Sequence, residues 1–288
     1  MRSVRNKLKQ IQRQVVRRFQ KQKPVYIPLI EGDYLKGRTA LVTGGTSGIG
    51  LAIAQAFLRC GANVVITGRN KERINAAICA LNDIERKGYV KGCQLDIGAV
   101  ESIDASFQNL LQTLDVDKID ILVNNAGIMQ GAPMGNTTIE DFSKTIDTNL
   151  RGTFFLSQSV SNYMIEKGIR GNILNIASSS SLRPAISPYI LSKWGIRGLT
   201  AGMAKKLIQY GIVVNGIAPG PTLTPMLVNN KEKVYIDNMN VPAGRYCAPE
   251  EIANLAVVLT SDMGRMIVGD ILYVTGGSGL LTYDDMKY

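Results

Sequence analysis

The sequence predicts an α/β fold in which a parallel sheet is covered by helices on both faces. From residue 39 onward, short β-rich runs such as TALVTG (39–44) and NVVITG (63–68) alternate with stretches of helical periodicity such as IGLAIAQAFLRC (49–60). The β-rich runs are apolar at successive positions, which indicates strands buried on both faces. A doubly wound sheet in a single domain is the architecture that buries such strands.

Polar or glycine-rich clusters stand where the apolar runs stop. In doubly wound sheets, ligands bind outside the carboxyl ends of the strands, so we expect the functional side chains there. The clusters are TGGTSGIG (43–50), TGR (67–69), LDI (95–97), NNAG (124–127), the serine run at 178–181 and APGPT (218–222).

A longer stretch, residues 222–246, interrupts the alternation and predicts a flap over the site. Within it, Met226, Leu227 and Tyr235 suggest an apolar lid, although such residues are as often part of a core. The flap belongs to a predicted domain that spans residues 31–288.

The amino-acid composition excludes several kinds of chemistry. The chain contains no histidine, which rules out Ser-His-Asp hydrolysis, histidine-ligated zinc and proton transfer by imidazole. The cysteines are Cys60, Cys79, Cys93 and Cys247. Because they form no C-x-x-C pair, we expect no metal site and no disulfide, but small buried side chains in a reducing compartment. No apolar run is long enough to span a bilayer, which predicts a cytoplasmic protein.

The net charge of +10 belongs to residues 1–30, a predicted basic amphipathic extension. That segment has nine Lys or Arg and no acid, which leaves 24 basic against 23 acidic residues in the remainder. Apolar residues recur there at helical spacing, and a proline ends the pattern: Val4, Leu8, Ile11, Val15, Phe19 and Pro24.

Several interpretations of this extension stay open. It suits peripheral docking on an anionic membrane or an acidic partner through residues 1–24, a mitochondrial transit peptide, or a helix packed on its own subunit or a neighbour. A nucleic-acid partner is not expected, because aromatic residues do not interleave with the basic ones.

The first polar cluster is a glycine-rich turn that leads from a strand into a helix. Glycines let the backbone approach a pyrophosphate, whose charge is favoured by free N–H groups at a helix N-terminus. The G-x-x-x-G-x-G spacing therefore predicts a dinucleotide site, with a tight turn that binds nothing as the alternative. Its candidate binding residues are Gly44, Thr46, Ser47, Gly48, Ile49 and Gly50.

The end of the second strand indicates which dinucleotide would bind. An acidic residue there would accept a hydrogen bond from a ribose 2′-hydroxyl, whereas a basic residue suits a 2′-phosphate. This strand ends in Gly68 and is followed by Arg69. The pattern favours NADP(H), and NAD(H) stays possible if Arg69 only solvates the strand end.

Tyr189 and Lys193 are one helical turn apart in a segment predicted to be helical from Pro188 through Tyr210. A neighbouring ammonium favours the phenolate and lowers the pKa of a tyrosine, which would make Tyr189 a proton donor and acceptor for a carbonyl/alcohol interconversion. A Y-x-x-x-K pair alone is a common accident on helices. The serine run upstream and the glycine-rich turn favour the interpretation of this pair as catalytic.

Taken together, these motifs resemble the short-chain dehydrogenase/reductase family, in its compact single-domain branch. The resemblance covers about residues 36–280. It rests, in the order of the family, on TGGTSGIG, LDI, NNAG, DTNLRGTF, NILNIASS, YILSK and NGIAPGPT. It implies a seven-stranded Rossmann-type sheet, a nicotinamide cofactor, a small carbonyl or alcohol substrate, and a homotetramer or homodimer.

The resemblance also implies a catalytic tetrad. Tyr189 would be the general acid/base, and Lys193 would hold the nicotinamide ribose and lower the pKa of the tyrosine. Asn149 would position a water that passes protons to solvent. Ser178 would bind the substrate oxygen, with Ser179 as the alternative because the spacing from Ser178 to Tyr189 is shorter than is common in the family.

Further cofactor contacts are implied at the other strand ends. Asp96 would bind the adenine amino group, and the NNAG cluster would form the turn beside the adenosine. Residues of the APGPT cluster would contact the nicotinamide end. The implied residues of these two clusters are Asn124, Ala126, Gly127, Pro219, Gly220 and Thr222.

The leading hypothesis is therefore an NADP(H)-dependent oxidoreductase that interconverts a ketone and a secondary alcohol. The alternatives are an NAD(H)-preferring dehydrogenase and a non-catalytic nucleotide-binding or scaffold protein on the same fold. The presence of Asn, Ser, Tyr and Lys together argues against the scaffold.

Overall fold

The computed structural model describes residues 27–84, 88–116, 118–228 and 241–279. Its centre is one sheet of seven parallel strands in the order β3-β2-β1-β4-β5-β6-β7. The strands are β1 (Thr39–Thr43), β2 (Asn63–Gly68), β3 (Val90–Gln94), β4 (Ile121–Asn124), β5 (Asn172–Ile176), β6 (Val213–Pro219) and β7 (Ile271–Val274). The predicted doubly wound, seven-stranded, Rossmann-type fold is confirmed.

Helices cover both faces of the sheet. They are α1 (Gly48–Arg59), α2 (Lys71–Asn82), α3 (Ile103–Thr113), α4 (Ile139–Ile146), α5 (Gly152–Glu166), α6 (Pro188–Leu207), the short α7 (Pro225–Val228) and α8 (Pro249–Thr260). A π-helical turn, Asp147–Arg151, joins α4 to α5, and a 3₁₀ turn, Ser179–Leu182, lies between β5 and α6.

The strand side chains divide between two apolar cores. Val42 of β1 packs with α1, α2 and α8 on one face, whereas its neighbour Leu41 packs with α3, α5 and α6 on the other. Successive side chains of a strand point to opposite faces, so strands buried on both sides must be apolar at every position. This explains why the β-rich runs of the sequence do not alternate with polar residues.

The order of strands places the binding crevice. Chain connections run from β1 outward to β2 and β3, and then return to β4 on the other side of β1. The loops after β1 and β4 therefore diverge at the carboxyl edge, and this divergence leaves a crevice.

The beginning of the described chain is attached to α8. The Ile30 N–H donates to Asn254 Oδ1 at 2.9 Å, and Asn254 Nδ2 donates to the Pro28 carbonyl at 2.9 Å. Leu35 is fully buried in the core. The predicted helix within residues 1–24 lies outside the described residues, so the extension and its boundary stay predictions.

The ends of the predicted flap are tied together. Thr222 and Cys247 form an isolated parallel bridge, in which the Leu223 N–H donates to the Cys247 carbonyl at 2.9 Å. Residues 229–240, which include Tyr235, lie outside the description, as does the side chain of Leu227. Of the three predicted lid residues, Met226 alone has a described side chain, so the lid stays a prediction.

The predicted burial of the cysteines is only partly right. Cys60 and Cys247 are buried, but Cys93 is half-buried and Cys79 is exposed. Cys79 lies on the solvent side of α2, which has only three buried residues. Burial raises the pKa of Cys247 to about 12, which keeps this thiol protonated. Within the described part of the chain, no helix combines the length and apolar character needed to cross a bilayer.

Candidate active site

A cleft of about 800 Å³ opens at the carboxyl edge of the sheet. It brings together most of the residues that the sequence singled out, from both halves of the sheet. These are Gly44, Thr46, Ser47, Gly48, Ile49, Arg69, Asp96, Ala126, Gly127, Ser178, Tyr189, Lys193, Pro219, Gly220 and Thr222. Gly50, Asn124 and Asn149 do not line the cleft.

The glycine-rich turn has the shape that a pyrophosphate requires. Gly44 and Gly48 have φ angles of +62° and +55°, which side chains rarely tolerate. A Cβ on Gly44 would lie 2.9 Å from the Cα of Ala126. Ser47 is the N-cap of α1, but its side chain makes no capping bond, whereas the N-caps of α2, α4 and α6 do. The N-terminus of α1 is therefore available to an anion.

Gly50 supports this turn from behind instead of facing the cleft. The Asn125 amide donates to the carbonyls of Thr43 and Gly44, at 3.0 and 3.1 Å. A Cβ on Gly50 would collide with the Asn125 amide and with the Gly44 carbonyl. Gly50 is thus required for close packing of the turn, and its direct contact with a cofactor stays a prediction.

Asn124 is likewise a structural residue. Its Nδ2 donates to Ser157 Oγ at 2.8 Å and to Asn175 Oδ1 at 2.9 Å, inside the sheet. Asn125, the next residue, is the one that lines the cleft. The predicted contact of Asn124 with the cofactor stays a prediction, and the structure adds Asn125 as a candidate, because β4 ends at Asn124 and the next residue faces the cleft.

The cleft is basic near the start of α2, where Arg69 and Arg73 both line it. Asp96 also lines the cleft, and its Oδ1 accepts from the Gly98 N–H at 2.9 Å. Arg73 is not among the residues predicted from the sequence. The available signal was Asn70, which caps α2 by accepting from the Arg73 N–H at 2.8 Å and so places Arg73 in the first turn.

Tyr189 and Lys193 share one face of α6, as predicted. Ser187 caps this helix, and Pro188 is its first residue. Lys193 Nζ lies 5.8 Å from the centre of the Tyr189 ring and donates to the Ile176 carbonyl at the end of β5, at 2.9 Å. Burial lowers the pKa of Lys193 to about 8.

The pKa of Tyr189 is shifted in the direction opposite to the expected one. Burial raises this pKa, and a hydrogen bond with Ser178 opposes the shift without reversing it. The expected lowering by the Lys193 ammonium is therefore corrected. Removing the phenol from water disfavours the phenolate more than nearby groups favour it.

Ser178, and not Ser179, contacts the tyrosine. Its hydroxyl lies near enough to Tyr189 to oppose the rise in the pKa of that phenol, and it accepts from the Ser180 N–H at 3.1 Å. Ser181 Oγ donates back to the Ser178 carbonyl at 2.8 Å. The serine run therefore forms a 3₁₀ turn that holds Ser178 against Tyr189.

Asn149 braces the site from behind the cleft wall. Within the π-helical turn, its Nδ2 donates to the Ile128 carbonyl at 2.9 Å and to Ser192 Oγ at 3.1 Å. Its Oδ1 accepts from the Ile128 N–H at 2.8 Å. Asn149 thus links the end of β4 to α6, and its role in a proton relay stays a prediction.

The remaining wall comes from the end of β6. A Cβ on Gly220 would lie 2.7 Å from the Cα of Thr275, so only glycine fits. Thr222 Oγ1 donates to the Gly220 carbonyl at 2.9 Å, and Met226 lines the cleft while half-exposed. Among the described residues, no cluster of cysteine and acidic side chains could hold a metal ion.

Comparison with known proteins agrees with this geometry. The family model described as short chain dehydrogenase matches residues 38–234. Gluconate 5-dehydrogenase of Gluconobacter oxydans is 37% identical over 252 residues, which cover 84% of this chain and 95% of that protein. The 3-oxoacyl-(acyl-carrier-protein) reductase of Aquifex aeolicus is 35% identical, with 84% and 98% covered.

Solved structures show the same fold. A short chain dehydrogenase from Burkholderia cenocepacia, in complex with NADP, has a TM-score of 0.72 and 28% identity. The match covers 84% of this chain and 98% of that one.

Exchanging the two asparagines for alanine tests their assignment. Asn124→Ala should lower the free energy of unfolding by about 1–3 kcal/mol, because it removes the donor to Ser157 Oγ and Asn175 Oδ1. Asn125→Ala should raise the Kd for NADPH roughly tenfold by loosening the glycine-rich turn. Urea unfolding and fluorescence titration measure the two effects, and equal loss of NADPH affinity in both variants would contradict the assignment.

The buried Lys193 predicts a pH effect of defined sign. Its folded pKa of about 8 lies below the ordinary 10.5, so between these values the unfolded chain binds more protons and stability rises with pH. Relative to Lys193→Met, the native protein should gain about 2–3 kcal/mol between about pH 7 and pH 10. Urea unfolding of both proteins checks this, and parallel pH curves would refute it.

Proposed function

Because the chain belongs to the short-chain dehydrogenase family, it is an oxidoreductase that acts on CH–OH and C=O groups with NAD(P), and we propose that it prefers NADP(H) and uses Tyr189 as its general acid/base. The substrate would be a ketone or a secondary alcohol. The observation that carries the proposal is the meeting of Ser178, Tyr189 and Lys193 in the cleft that the glycine-rich turn also lines.

The charges at the adenosine end support the preference for NADP(H). Arg69 and Arg73 would bind the 2′-phosphate as charge-assisted hydrogen-bond donors. Gly68, where NAD(H)-binding strands carry an acid, offers no acceptor for a 2′-hydroxyl. Asp96 would bind the adenine amino group, and the N-terminus of α1 would face the pyrophosphate. When bound, the dinucleotide supplies or accepts the hydride.

Tyr189 is suited to moving the proton. Its raised pKa keeps the phenol protonated at neutral pH, ready to donate to the carbonyl oxygen during reduction. In the reverse direction the phenol must first lose this proton, and the phenolate would then accept the proton of the alcohol. Ser178 would bind the same oxygen and stabilise the charge that develops there. Lys193 would hold the nicotinamide ribose, and Asn149 would connect the proton path to solvent.

Copies of this chain would associate as a homodimer or homotetramer. Large apolar side chains are exposed on α4 and α5: Ile139, Phe142, Phe154 and Phe155. The Phe154 and Phe155 rings contact each other, and a second copy would cover these exposed apolar side chains. Contact of residues 1–24 with an anionic membrane or acidic partner, and a cytoplasmic location, stay predictions.

Replacing Tyr189 with Phe separates the enzyme from a non-catalytic scaffold. Turnover should fall at least about 100-fold, since general acid/base catalysis contributes this much. The Kd for NADPH should stay within about twofold, because the ring is retained. NADPH oxidation over a panel of sugar acids, acyl ketones, steroids and polyols measures turnover.

The exposed Tyr210, changed to Phe, serves as the matched control. Unchanged turnover in Tyr189→Phe would contradict the catalytic assignment. A native protein that binds NADPH but oxidises it with none of the ketones would favour the scaffold.

Arg73→Gln tests the cofactor preference. The KM for NADPH should rise about tenfold or more while that for NADH stays unchanged, because only NADPH carries the 2′-phosphate. Lys71→Gln, two residues earlier on the same helix and outside the cleft lining, removes the same charge as a control. An equal effect of Arg73→Gln on both cofactors would contradict the assignment.

A further inference from the structure

One cation in the cleft has no part in the function proposed above. Arg183 follows the 3₁₀ turn of the serine run and lines the cleft together with Ser178, Tyr189 and Met226. Arg183 follows the turn that begins at Ser178 after β5, and it contacts Ser278 beyond β7, whereas Arg69 follows β2 on the other half of the sheet. It therefore belongs to the half of the cleft in which the substrate would react.

The charge of Arg183 is not neutralised locally. No described carboxylate forms an ion pair with it. The only acidic residue that lines the described cleft, Asp96, belongs to the adenosine end. A guanidinium has five N–H donors, and Arg183 uses its Nη2 on Ser278 Oγ at 3.3 Å. The remaining donors can serve an anion.

The backbone of Arg183 is held in place from two sides. The Arg183 N–H donates to the Ser180 carbonyl at 3.1 Å, and the Arg183 carbonyl accepts from Trp194 Nε1 at 2.8 Å. Trp194 lies on α6, one residue after Lys193. The backbone of Arg183 is thus anchored to the helix that carries Tyr189 and Lys193, and its exposed guanidinium extends from this fixed point to Ser278.

We propose that Arg183 binds a carboxylate of the substrate, so that the substrate class is a keto acid or the corresponding hydroxy acid. The inference rests on the proposed oxidoreductase function. Arg183 would be a specificity-determining residue, because it contacts a part of the substrate that does not react.

The single guanidinium favours a carboxylate over a phosphate. A carboxylate carries one charge and matches the planar fork of an arginine, whereas a phosphate monoester carries nearly two and is usually met by more donors. A 3₁₀ turn rises about 2 Å per residue, which places the Cα atoms of Ser178 and Arg183 roughly 10 Å apart along the loop. The carboxylate should therefore be several bonds from the reacting carbonyl.

Binding can be measured without turnover, because Trp194 is the only tryptophan of the chain. In the full-length protein with NADP⁺, 5-oxohexanoate should change the Trp194 fluorescence, whereas its uncharged methyl ester should not. Arg183→Gln should abolish the response. A response that is equal for the acid and the ester, or that persists in Arg183→Gln, would overturn the proposal even if the protein turns over no ketone.

Kinetics provide the second test. We expect the acids 3-oxobutanoate, 4-oxopentanoate and 5-oxohexanoate to be preferred over their methyl esters, most strongly for the longer chains. In Arg183→Gln, kcat/KM should fall roughly ten- to hundredfold for the acids and little for the esters, because a hydrogen bond to a charged group is lost. Arg183→Lys should restore part of this loss.

The control is Arg197→Gln. This substitution removes a positive charge from α6, at a position outside the cleft lining. It should leave the acid preference unchanged. A similar fall in kcat/KM for the acids in Arg197→Gln would mean that net charge explains the effect, and it would overturn the proposal. A phosphate ester such as dihydroxyacetone phosphate, if it depends on Arg183 more than any acid does, would overturn the assignment to carboxylates.

Discussion

The buried ammonium of Lys193 is the constraint around which the site is organised. A charged amine that is 6% exposed costs several kcal/mol unless it has partners, and the carbonyl of Ile176 is the hydrogen-bond partner that the structure gives it. That carbonyl is available because β5 ends there. Consequently α6 must begin close to the end of β5, and this position also brings Tyr189 against Ser178.

The short connection between β5 and α6 follows from this constraint. A 3₁₀ turn compresses the chain, and the four serines satisfy much of its backbone locally: Ser178 Oγ accepts from the Ser180 N–H, and Ser181 Oγ donates to the Ser178 carbonyl. Ser178 therefore stays in contact with Tyr189 although the spacing is shorter than is common in the family. The same turn projects Arg183 into the cleft, so the tight loop also shapes the substrate end.

Much of the fold and of the site could be predicted from the sequence, because apolar runs identify buried strands and their ends identify the binding edge. The differences between the predicted and the observed site have identifiable physical sources. Asn124 and Asn125 differ by one residue, and in a strand that difference exchanges opposite faces, so a motif cannot separate them without the exact strand end. The pKa of Tyr189 depends on burial, which a pattern of residues does not report. Arg73 was missed because its position follows from the cap that Asn70 makes.

The distribution of charge links the cofactor pocket to the substrate end. Outside residues 1–30 the chain is nearly neutral, with 24 basic against 23 acidic residues, so net charge does not attract anions to this domain. Selectivity for anionic ligands must therefore come from the positions of individual cations. Arg69 and Arg73 line the cleft near the start of α2, Arg183 lines it after the 3₁₀ turn that follows β5, and Lys193 is buried. A single fixed cation in a cleft acts mainly on groups close to it, whereas the net charge of a domain acts over a longer distance. The cation therefore discriminates between ligands by the position of their anionic group.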